Sequence, residues 1–148
     1  MSYSPYFLNQ SSSGSSRSTV ANFQNGSGAI LQKATVVSVN TSSQLVKADI
    51  NSENLIQAIV GITSIQIPNG AIGSVIDNGR LEDITISFSI GDAVYVNFDG
   101  TLTNIKPDLS IAGFTNGMFC VFVGVVVKNE FNSSLKDLKL MISVIGQL

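Results

Sequence analysis

The chain has 148 residues, 44% of them hydrophobic and 12% charged, with a formal net charge of −2, one cysteine and no histidine. That length makes one domain with a real core the default. Eight scattered Lys and Arg residues form no basic patch of the kind nucleic acid requires, and a mean hydropathy of +0.33 points to apolar surface shared between chains.

Residues 1–28 differ from everything after them. They are dense in Ser, Asn and Gly (Gln10-Ser11-Ser12-Ser13-Gly14-Ser15-Ser16, then Asn25-Gly26-Ser27-Gly28), with Tyr3, Tyr6, Phe7, Leu8 and Phe23 among them. A segment of this composition cannot bury enough apolar area alone to offset its ordering entropy. It reads as a flexible arm that orders on a partner. Tyr3, Tyr6, Phe7, Leu8 and Phe23 are its expected partner-binding anchors, because aromatic side chains supply much of the contact energy of an interface.

The body, residues 29–148, reads as a single all-β domain: a small β-barrel or sandwich of short antiparallel strands separated by turn signals. Thr35 to Val39 is a first strand, and Leu45 to Asp49 returns as a hairpin partner. Asn51 to Gln57 is the one helical turn expected, with Ser52 as its cap and Glu53 in its first turn. Ala58 to Thr63 is a buried strand, and Pro68-Asn69-Gly70 turns the chain.

Gly73 to Asp77 and Arg80 to Ile84 flank Asn78-Gly79, a pair that predicts a type I′ hairpin. Gly91-Asp92 leads into Ala93 to Asn97, and Asp99-Gly100 leads into Thr101 to Thr103. Ile105 to Asn116 is the longest irregular connection. Met118 to Val127, apolar on both faces, suits a central strand, with Gly124 as a bulge or close backbone approach. Leu138, Leu140, Ile142 and Val144 alternate with their neighbours as a final half-buried strand.

Catalytic chemistry has little to draw on, and the chain reads as a non-enzyme with no catalytic residue. Without histidine, Ser-His-Asp and Cys-His arrangements are excluded and the commonest metal ligand is missing. One cysteine cannot build a zinc site, and no phosphate-cradling glycine loop is present, so no metal or cofactor is expected. Glu82 and Asp83 are adjacent and would point to opposite faces of a strand. Asp92 and Asp99 read as turn residues, as does Asp77-Asn78-Gly79. Cys120, inside an apolar run, reads as a small buried hydrophobe. Four Asn-x-Ser sequons begin at Asn9, Asn25, Asn40 and Asn132; without a secretion signal they read as accidents of composition. No apolar run is long enough for a membrane span, and a soluble protein made in a reducing compartment is expected.

The order of pieces from Ala29 to Val127 resembles small phage capsid-decoration (cement) and head-fibre proteins. The likeness rests on Lys33-Ala34-Thr35-Val36-Val37, the hairpin to Lys47-Ala48-Asp49, Ile59-Val60-Gly61-Ile62, Gly70 to Val75, and Phe122-Val123-Gly124-Val125-Val126. Its most specific part is Gly91-Asp92-Ala93-Val94-Tyr95-Val96 with Asp99-Gly100-Thr101-Leu102-Thr103. The resemblance implies a β-barrel-like virion structural protein that binds the major capsid protein or other virion proteins. It would assemble as a homo-oligomer, commonly a trimer, and reinforce the capsid exterior after synthesis in the host cytoplasm. The arm and the closing Ile142 to Leu148 leave room for a tail, collar or baseplate appendage. A carbohydrate-binding module or carboxylate-based hydrolase is the remote alternative.

Overall fold

The computed structural model describes residues 19–148. Among the described residues nine strands form one curled antiparallel sheet, a half-barrel. They are β1 (Thr19–Gln24), β2 (Val36–Val39), β3 (Leu45–Lys47), β4 (Ile59–Thr63), β5 (Ile72–Ile84), β6 (Ala93–Val96), β7 (Leu102–Thr103), β8 (Phe119–Lys128) and β9 (Lys136–Gln147), with one short helix, α1 (Glu53–Gln57). The sheet order is β3-β2-β4-β5-β9-β8-β6-β7, and β1 joins β5 off this path. The expected helical turn is present as read: Ser52 Oγ accepts from Leu55 N (3.3 Å), with Glu53 in the first turn.

Two apolar clusters hold the sheet. The larger lies inside the curl and joins Val36, Ile62 and Ile76 to Val94, Val121, Val123, Leu138 and Leu140 from the other half. The smaller, with Leu31, Val37, Leu45, Ile67 and Val75, covers the opposite face of the first half. Successive strand residues point to opposite faces, so neighbours such as Val36 and Val37 serve different clusters. The cover over the second face is pinned by the paired backbones of Leu31 and Ile67.

The curl brings the two end strands of the sheet toward each other without joining them in a ladder. Lys47 of β3 lays its stem over Gly100 and donates Nζ to the Asp99 carbonyl (3.4 Å) across the seam. Gly100, at φ +85°, closes the turn from Asn97, as the Asp99-Gly100 signal predicts.

The expected hairpin at Asn78-Gly79 is not formed. Residues 72–84 run as one strand through it. A type I′ turn needs positive φ at both central residues, and here only Gly79 has it (+96°). The backbone stays extended because partners occupy its edges along its length. Residues 72–78 pair with β1, Val75 and Ile76 also pair with β4, and residues 79–84 pair with β9. Gly79 sits where the partner changes.

β9 also departs from simple alternation. Leu138 and Leu140 are buried and Ile142 is half-buried, but Val144 is 46% exposed. Register shifts after Leu140 and after Val144 break the alternation.

Three of the four sequons lie in the described residues, and each is an Asx turn. The Asn Oδ1 accepts the N–H two residues on: Asn25 from Ser27 (2.9 Å), Asn40 from Ser42 (2.9 Å) and Asn132 from Ser134 (3.0 Å). The turn itself needs only that N–H; at Ser27 and Ser134 the hydroxyl also donates to the same Oδ1 (2.7 Å each). Asn9 lies outside the described residues.

Candidate functional site

Of the anchors expected in the arm, Tyr3, Tyr6, Phe7 and Leu8 lie outside the described residues. Residues 19–28, expected from the sequence to belong to the arm, lie in the described part and are tied to the body. Residues 19–24 form β1, in register with β5 from Thr19↔Asn78 to Gln24↔Ile72. Phe23 is half-buried and packs against the smaller cluster of this chain's own body. Asn25 is 1% exposed and ties the following turn down. Its Nδ2 donates to the carbonyls of Ala29 (2.7 Å) and Ile67 (2.8 Å), and its Oδ1 accepts from Ser27. Composition concealed this, because a Ser/Asn/Gly run is the same whether it is solvated or folded into a knot of local hydrogen bonds.

β1 is an edge element. Among the described residues β5 is its one strand partner, and none of them ladders with its outer backbone edge. The register places Val20, 55% exposed, and Ile72, 72% exposed, on one face of the β1–β5 pair. On the other side of β1 lies a groove of about 590 Å³, lined among others by Thr19, Phe23, Ile59, Val75, Asp77 and Val144. An open strand edge flanked by exposed apolar side chains is a template for pairing with another chain.

The opposite end of β5 carries a built polar cluster. Asp137, 3% exposed, accepts from Arg80 Nε at 2.7 Å through one carboxylate oxygen. Its other oxygen accepts from the Asp83 N–H (3.0 Å) and Asn129 Nδ2 (2.9 Å). Burial pushes this carboxyl up, but the Arg80 guanidinium and the two N–H donors together hold it below the ordinary aspartate value. Asp83 adopts φ +62° and accepts from Asn129 Nδ2 at 2.6 Å. The cluster clamps β5, β9 and the β8–β9 loop together.

No protein-family model matches this chain, and no curated protein matches it.

Asp92 and Asp99 serve turns, whereas Asp77 and Glu82 lie within β5. Asp92 Oδ2 accepts from Ser89 N (2.9 Å) and Asn104 Nδ2 (3.0 Å), and the Asn104 bond foremost holds its carboxyl low. Asp99 Oδ1 accepts from Thr101 N (3.0 Å). Among the described residues, no group of three or more Cys, Asp or Glu is placed to hold a metal ion, and no helix is long and apolar enough to cross a membrane. Cys120 is buried in β8, and burial pushes its thiol up despite Lys106. Sequence reasoning passed over the exposed residues Val20, Ile72 and Phe131, since exposure of a single apolar residue has no local signature.

Proposed function

We propose that the chain is a non-enzymatic structural protein of a phage virion, decorating and reinforcing the capsid exterior. Its N-terminal arm, residues 1–18, orders on the major capsid protein or a neighbouring virion protein, and its copies associate with one another. The observation that carries this reading is β1. The arm leads directly into a strand whose inner edge is laddered to the body and whose outer edge has no strand partner among the described residues, beside exposed Val20 and Ile72. Strand addition at such an edge gives affinity through backbone hydrogen bonds and specificity through alternate side chains. A curled all-β body with two apolar clusters supplies the rigid part that a reinforcing protein needs.

Imaging of the assembled particle tests it. The full chain is expected at symmetric positions over the capsid, and a variant lacking residues 1–18 is expected to fold but not attach. Density confined to a tail, collar or baseplate would replace the capsid reading with that of an appendage or fibre adaptor. Absence from the particle would overturn both.

A further inference from the structure

Phe131, in the loop between β8 and β9, is 95% exposed, the most exposed large hydrophobic among the described residues. The loop that carries it is held by a buried amide. Asn129, 4% exposed, accepts through Oδ1 from the backbone N–H groups of Phe131 (3.0 Å) and Asn132 (2.8 Å), while its Nδ2 is spent on Asp83 and Asp137. The aromatic ring therefore stands in water on a fixed support. Its flank is acidic on balance. Glu82, Asp83, Glu130 and Asp137 line the hollow beside Phe131 together with Arg80, and Lys128 lies 3.9 Å from Glu130, with both of those side chains largely exposed.

A matching shape adjoins it through Asp83. The seam of the half-barrel opens as a groove of about 550 Å³ whose lining includes Ala34, Ile86, Phe88 and Leu102, all packed on the larger cluster, with Lys33 and Lys47 at its sides. These two lysines donate to the backbone carbonyls of Asp83 (3.1 Å) and Asp99 (3.4 Å), and neither forms an ion pair among the described residues. Asp83 lines both this groove and the hollow beside Phe131, so an acidic-flanked aromatic knob and a lysine-flanked apolar socket are neighbours.

We propose that a second copy of this chain occupies the seam: Phe131 of each copy enters the groove of the other, with Glu82 and Glu130 facing Lys33 and Lys47 across a two-fold axis. In an isologous pair, residue i meets j while j meets i, and a knob beside its own complement on one face permits that reciprocity. A desolvated aromatic in a pocket supplies the affinity, and the opposed charges fix register and partner choice. The inference names the surface for the self-association included above and does not need the particle, because it is read on the isolated protein.

Sedimentation velocity of the full chain over a range of concentrations tests it. A concentration-dependent dimer is expected. Phe131→Ser should weaken it at least about tenfold without changing the melting temperature, since that side chain is exposed. Glu130→Lys and Lys33→Glu should each weaken association, and an equimolar mixture of the two should restore it at low salt. A protein that stays monomeric up to millimolar concentration would overturn the proposal. So would a Phe131→Ser variant that associates like the parent, or a mixture that does not recover. A monomer that is nevertheless taken up by the particle would leave the virion reading standing while removing this one.

Discussion

Gly124 of β8 faces the Lys139 carbonyl of β9 so closely that a Cβ on it would sit 2.1 Å from that oxygen. The two strands form the most extensive ladder of the sheet, running from Lys136↔Lys128 to Gln147↔Phe119. Gly124→Ala must therefore push backbone against backbone, and the expected cost is about 3 kcal/mol in urea unfolding. Gly146→Ala, where an added Cβ meets nothing within 4 Å, is expected to change stability by less than about 0.5 kcal/mol.

Asp137→Ala leaves Asn129 Nδ2 and the Asp83 N–H short of an acceptor and removes the carboxylate that Arg80 Nε donates to. The expected loss is about 3 kcal/mol at pH 7. The Asp137 carboxyl is held low in the folded state, so its contribution is fully present above the unfolded value of about 3.9 and is lost as pH falls below it. Unfolding midpoints of parent and variant should converge as the pH is lowered through that range.

Asn25→Asp replaces a donating amide with a carboxylate between the carbonyls of Ala29 and Ile67. A loss of about 3 kcal/mol is expected at neutral pH. Acidification below about pH 4 should recover part of it, because a protonated carboxyl can again donate. Thermal melts of parent and variant at pH 7 and pH 3.5 would read the difference.

Truncations separate arm from body. Among the described residues both apolar clusters draw on residues from Phe23 onward, and removal of residues 1–18 is expected to leave the melting temperature within a few degrees. Removal of residues 1–28 takes away β1 and Asn25 together, and is expected to cost several degrees or prevent folding. Calorimetry on both truncations reads whether residues 19–28 belong to the folded body.

Much of the architecture is written locally in the chain. Ser52 with Glu53 marks α1, Asp99-Gly100 marks its turn, and the apolar run of β8 marks the middle of the sheet. Asn78-Gly79 misleads because a turn signal is only a permission. Whether it is used depends on the neighbouring β4 and on β1 and β9, both distant in sequence, which together hold β5 straight. The 19–28 segment misleads for a related reason: Asn25 is buried by Ile67 and Ala71, over forty positions away, and no local pattern announces that. The surface residues were the least legible. Phe131 looks like any loop aromatic until Asn129 is seen holding it.

β5 also sets a schedule for folding. Its first half pairs with β1, about sixty residues earlier at Thr19↔Asn78, and its second half with β9, about as far on at Leu138↔Leu81. Neither half of the sheet can be finished from local contacts, and loops of that length must be closed before the pairing rewards them. On the ribosome, β1 must wait with an open edge until β5 emerges, and β5 must then wait for β9. The chain is therefore expected to fold slowly and largely after synthesis, with its pairing edges exposed in the interval.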